Sequence, residues 1–166
     1  MSATEIVVGV DGSASSAAAL RWAAEQADLS GASLIVTYVY NPTTADLQVT
    51  GGFLPNDWEE KARERVRRWM LEAIDDSALP GWRIRVVHGS PGPALVEVSG
   101  HADLLVIGEP RHRRWGRIAS RSASDYCVAH ARPPVVLVPP VVTWSIPQPR
   151  AAEAGADTGF RVGPLH

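Results

Sequence analysis

Five short runs rich in aliphatic and β-branched residues recur along this chain, and segments of helical period or turn residues separate each from the next. They lie at 4–10 (TEIVVGV), 33–40 (SLIVTYVY), 82–88 (WRIRVVH), 103–107 (DLLVI) and 134–138 (PVVLV). This alternation constrains the fold more than any other feature. Strands that alternate with helices need crossover connections, and crossovers give a parallel sheet with helices on both faces. The run at 103–107 is apolar throughout, as expected of a central strand covered on both sides. The sequence therefore predicts an α/β chain with one doubly wound domain.

Local signals mark the segments between the strands. Asp11-Gly12-Ser13 ends the first run, and Ser13 is placed to cap a helix over 14–29 by accepting a bond from a free backbone N–H. Ala17, Leu20, Ala24 and Ala27 share one face of that helix, and Gly31 suits its left-handed terminus. A loop from Asn41 to Leu54 is longer than a simple connector. Asp57 and Glu60 then read as an acidic capping box. Trp58, Ala62, Val66, Trp69, Ala73 and Ile74 follow at helical spacing, with Arg63, Arg67 and Arg68 turned largely to solvent. After the third run, Gly89-Ser90-Pro91-Gly92 reads as a turn and Pro93 as the start of a short helix. A last helix is expected over 122–131, and the stretch beyond Pro149 has the composition of a disordered tail.

Composition excludes several classes. With 166 residues the chain is long enough for one substantial core and short for two. No apolar run approaches the roughly 20 residues that cross a bilayer. The N-terminus has no basic segment before its apolar stretch, so it reads as a strand and not as a secretory signal. A single cysteine, Cys127, allows no internal disulfide and no cysteine-built metal site. It lies within the last helix and reads as a small core residue. A cytoplasmic location is the expectation. Net charge is −2, but residues 111–121 (RHRRWGRIASR) hold five arginines and no acid. The rest of the chain then carries 11 basic against 18 acidic groups, a net −7. A concentrated positive loop on a mildly acidic body points to a small anionic ligand more than to nucleic acid.

Three segments together resemble the universal stress proteins: VVGVDGSASSAAALRWA, HGSPGPALVEVSGHADLLVIGE and SRSASDYCVAHARPPVVLVP, in that order. The resemblance spans roughly residues 4–139. It implies a five-stranded sheet in the order 3-2-1-4-5, a domain over 1–140 with a tail at 141–166, and a homodimer. ATP or another adenine nucleotide is the ligand it implies. Asp11 is similar to the family's acid near the adenine and ribose, although Asp-Gly-Ser is also good turn chemistry without a ligand. Val39 matches the position whose backbone meets the adenine. Gly9 and Val10 would line the pocket floor, although core packing alone also accounts for them.

Nucleotide-binding members share a loop of the form Gly, two residues, Gly, nine residues, Gly, then Ser or Thr. Gly108 fits the first position and Ser122 the hydroxyl position, with Ala123 beside it, but Arg111 and Arg121 stand where the other two glycines belong. Glycine serves such loops because it adopts positive φ freely and lets backbone N–H groups close on phosphate oxygens. Arginine at a positive φ costs on the order of 1 kcal/mol and fills ligand space. Against that, a guanidinium binds phosphate bidentately and keeps its charge. Two readings stay open: a nucleotide-responsive regulatory protein with arginines in its phosphate loop, or a ligand-free dimeric scaffold whose arginine-rich loop contacts partners or anions.

A third reading, an ATP-hydrolysing enzyme, is the weakest, because the sequence offers no evident base to position water and no carboxylates arranged for magnesium; beyond weak ATP hydrolysis an enzyme is not expected. The sequence has no Gly-x-x-x-x-Gly-Lys loop, no Gly-x-Gly-x-x-Gly after the first strand and no Gly-x-Ser-x-Gly elbow. His88, His101, His112, His130 and His166 lack ligand spacing, so no metal site is expected. Trp115, an aromatic among arginines, reads as a loop tip docking on a neighbour. The run at 134–138 is expected at a sheet edge, where unpaired backbone groups invite a second chain. Val141, Val142, Trp144 and Ile146 are placed to extend or clamp that interface.

Overall fold

A computed structural model of the chain describes residues 4–42, 57–74, 81–109 and 122–140. The strands are β1 (Glu5–Val10), β2 (Ser33–Tyr40), β3 (Arg83–His88), β4 (Leu104–Gly108) and β5 (Val135–Val138). Between them lie helices α1 (Ala14–Ser30), α2 (Trp58–Ala73), α3 (Pro91–Val98) and α4 (Ala123–His130). The strands form one parallel sheet in the order β3-β2-β1-β4-β5. The doubly wound α/β expectation and its strand order both hold.

Period-two alternation divides the core into two layers. Ile6, Val8 and Val10 of β1 pack with Leu34, Val36 and Val106 against α1 and α2. Val7, Ile35, Val39, Leu105 and Ile107 point to the other face, where they meet Leu95, Val98 and Cys127. β1, β2 and β4 carry apolar side chains on both faces because helices cover both. Alanines dominate the buried side of α1 (Ala18, Ala19, Ala23, Ala24 and Ala27), and their small side chains allow close approach to the sheet. Ala17, expected on that face, is only half-buried.

The helix ends follow local chemistry, with two corrections. The Ser13 Oγ accepts from the Ser16 N–H at 3.1 Å, and Gly31 closes α1 with φ 68°. The capping box at the start of α2 does not form. Asp57 has φ −103° and ψ 12°, unlike the extended backbone of an acceptor cap, and its carboxylate instead pairs with Lys61 at 2.6 Å. Helix α3 starts at Pro91, not Pro93, with Ser90 as its N-cap residue. Both prolines fit the first turn because their missing N–H groups would find no helical partner there.

Arg63 is not turned to solvent either. Its Nη1 donates to the Ile84 carbonyl at 3.1 Å and its Nη2 meets Glu59 Oε1 at 2.7 Å. Ala62, Val66 and Met70 form the buried stripe of α2. Trp69, half-buried, stands edge-on to Tyr38 with ring centroids 5.3 Å apart.

The candidate nucleotide crevice

The chain leaves β1 toward β2 on one side of the sheet, whereas β4 lies on the other side of β1. Order therefore reverses between β1 and β4, and a crevice opens at their carboxyl ends. A cavity of about 240 Å³ fills it. Gly9, Val10, Asp11, Val39, Gly108, Ser122 and Ala123, separated by more than 100 residues in sequence, all contribute to its lining. Arg111 and Arg121 lie outside the described residues, as do Trp115 and the tail residues Val141, Val142, Trp144 and Ile146.

The β1 side is built by one turn. Gly12 has φ 81°, and a Cβ there would fall 2.5 Å from Trp69 Cζ2, so both conformation and contact require glycine. This turn lets Asp11 Oδ1 accept from the Ser13 N–H at 2.9 Å, while the Ser16 Oγ donates to the Ser13 carbonyl at 3.0 Å. The surrounding walls strip water from the Asp11 carboxyl, which alone would raise its pKa. Hydrogen bonds from Ser13 and Ser16 outweigh that and hold it below its ordinary value. Asp11 is thus an ionised acceptor at the rim.

The opposite side is the first turn of α4. The Asp125 N–H donates to the Ser122 Oγ at 3.1 Å, and the Ser122 and Ser124 hydroxyls lie 2.9 Å apart. The positive ends of α1 and α4 both open on the cavity.

Two glycines carry explanations that involve no ligand. A Cβ on Gly108 would fall 2.5 Å from the carbonyl carbon of Ser15 and 2.7 Å from the Ser16 nitrogen. The first turn of α1 packs directly on the end of β4. Gly9 similarly lies beneath Leu95 and Ile107, whose methyls would come within 3.1 and 3.2 Å of a Cβ.

The sequence reading missed Thr37, Leu95 and Ile107 in the lining, and used Ser13 only as a cap. Thr37 could have been found: Gly9 pairs with Thr37, two residues before Val39 and on the same face of β2. Cys127 is fully buried, with its thiol pushed up to about 11 by desolvation and aimed at the Gly92 carbonyl at 3.7 Å. This is a core residue and a poor nucleophile. Among the described residues, no group of three or more His, Cys, Asp or Glu is placed to hold a metal ion. No described helix is long and apolar enough to cross a membrane.

A five-stranded parallel sheet with a crevice at its switch point defines the doubly wound class of α/β protein. Within that class, the chain belongs to the universal stress protein family, whose profile matches residues 3–139. A universal stress protein of Mycobacterium tuberculosis is 29% identical over 141 residues, covering 80% of this chain and 46% of its own length. One from Mycolicibacterium smegmatis is 30% identical over 145 residues, covering 82% and 49%. The chain thus spans about half the length of the curated relatives it matches. Among solved structures, UspA from Lactobacillus plantarum superposes with TM-score 0.62 at 26% identity, over 81% of this chain and 97% of that one. A universal stress protein in complex with cAMP gives 0.56 at 30% identity, over 82% and 98%. An Archaeoglobus fulgidus universal stress protein in complex with dAMP gives 0.59 over 83% and 99%; at 22% identity it supports the fold alone.

Proposed function

We propose that this chain is a nucleotide-responsive regulatory protein that takes an adenine nucleotide into the crevice between β1 and β4. The observation that carries the reading is the convergence of Val39, Asp11, Gly108 and the Ser122 hydroxyl on one cavity. The paired register of β1 and β2 ends at Val10 and Tyr38, so the Val39 backbone continues past its neighbour and is available to a base. Asp11, held as a carboxylate, accepts from ribose hydroxyls. Ser122 already accepts from the Asp125 N–H, which leaves its own proton to donate to Ser124 or to a phosphate oxygen. Arg111 and Arg121 supply guanidinium donors in place of a glycine loop. The family member in complex with cAMP supports an adenine nucleotide as the ligand class. Binding changes what the arginine-rich segment 111–121 offers to partners, and a dimer joined along β5 presents it twice. No catalytic residue is assigned.

One observation favours the second reading, a ligand-free dimeric scaffold. Gly108 is demanded by its contact with Ser15, so its presence does not itself speak for phosphate. Calorimetric titration of the chain with ATP, AMP and cAMP separates the two. The nucleotide reading expects micromolar affinity for at least one of them; no heat from any would leave the scaffold.

A further inference from the structure

Thr37 sits within β2, paired with Gly9 of β1, and is fully buried. Among the described residues its Oγ1 is the buried side-chain polar atom left without a hydrogen-bond partner. Such groups are rare because folding strips their water and returns nothing. Its neighbours on the same face of the strand are Ile35 and Val39, both aliphatic and both buried, so valine would fit this position without the cost. Thr37 also belongs to the lining of the crevice cavity. The side chains over this part of the floor are the flexible ends of Leu95 and Ile107, which converge above Gly9.

The position of Thr37 fixes which part of a ligand it serves. Ser122 and Gly108 lie on the β4 side of β1, and Thr37 lies on the β2 side with Val39. A nucleotide spanning the crevice with its phosphate toward Ser122 brings its base to β2. We propose that Thr37 is a base-recognition residue of this site, its hydroxyl hydrogen-bonding the edge of a purine ring that enters by displacing Leu95. This rests on the nucleotide reading above. Around the base the side chains of the floor are otherwise aliphatic, and aliphatic contacts discriminate poorly between ring edges. A hydroxyl that donates and accepts supplies a side-chain polar contact beside the Val39 backbone.

The test uses the full chain, Thr37→Val and Thr37→Ser, with AMP titrated by calorimetry and thermal unfolding followed without ligand. Thr37→Val is expected to unfold at or above the wild-type temperature while binding AMP about tenfold more weakly. Thr37→Ser should stay within about threefold of the wild type. Opposite signs for stability and affinity are what a purely structural hydroxyl does not produce. Unchanged AMP affinity in Thr37→Val would overturn the role of Thr37 and leave the nucleotide reading standing. A lower unfolding temperature in that variant would assign the hydroxyl to the fold and overturn the proposal. Absence of binding by AMP, ATP and cAMP alike in the wild type would overturn both.

Discussion

A Cβ placed on Gly108 would come within 2.5 Å of the Ser15 carbonyl carbon, so the end of β4 and the first turn of α1 touch through backbone. Neither partner is the flexible end of a side chain, and neither can give way cheaply. Gly108→Ala should therefore destabilise the fold by about 2 kcal/mol, in the range of overpacked cores. A urea midpoint equal to the wild type would show that α1 shifts freely, and the crevice would lose its fixed wall.

Asp11 ties stability to acid. Its folded pKa lies below the ordinary 3.8. A depressed carboxyl contributes stability that is present above the unfolded pKa and lost as pH falls through the folded one. Asp11→Asn should thus be less stable than the wild type at pH 7, and the gap should close below pH 3.8 as the wild-type carboxyl protonates. Urea midpoints of both proteins across that interval measure it. A gap that stays constant would mean that the Ser13 and Ser16 hydrogen bonds do not depend on the charge.

The effect of Arg111 and Arg121 on nucleotide binding has a sign to determine. If Arg111 and Arg121 replace glycine donors with guanidinium donors, Arg111→Gly with Arg121→Gly should weaken nucleotide binding about tenfold or more. The residual affinity should also depend less on salt. Tighter binding in the double variant would mean that the arginines plug the pocket.

The two sheet edges are managed differently. At β3, Arg63 donates to the Ile84 carbonyl, which blocks part of the edge. At β5, Pro134 and Val138 accept from Leu105 and Glu109, so the alternating Val135 and Leu137 backbones face outward. Val135→Pro removes an outward N–H without breaking a β4 bond. Sedimentation should show a dimer for the wild type and a monomer for Val135→Pro, with helical circular dichroism retained. A wild-type monomer, or a variant still dimeric, would move assembly away from β5.

Legibility in the sequence followed the range of the interactions. Ser13 and Gly31 announced the ends of α1 because caps are made within three or four residues. The strands showed as apolar runs, and the family resemblance supplied their order. Pro91 was passed over for Pro93 because both satisfy the first turn, and nothing local separates them. Asp57 and Glu60 had the spacing of a capping box, but Lys61 competes for the same carboxylate. Arg63 meets Ile84 across 21 residues, and that contact has no local signature. The packing reason for Gly108 was invisible for the same cause: Ser15 is brought to it by the sheet. Thr37 looked like an ordinary strand residue, and only its missing partner distinguishes it.

The central claim is that the crevice between β1 and β4 holds a nucleotide. Amide chemical-shift mapping by NMR during addition of AMP, ATP and cAMP in turn tests it most directly, since it reports both binding and place. The account predicts saturable shifts concentrated at Gly9, Asp11, Thr37, Val39, Gly108 and Ser122. Shifts confined to the arginine-rich segment 111–121, or none at all, would contradict it.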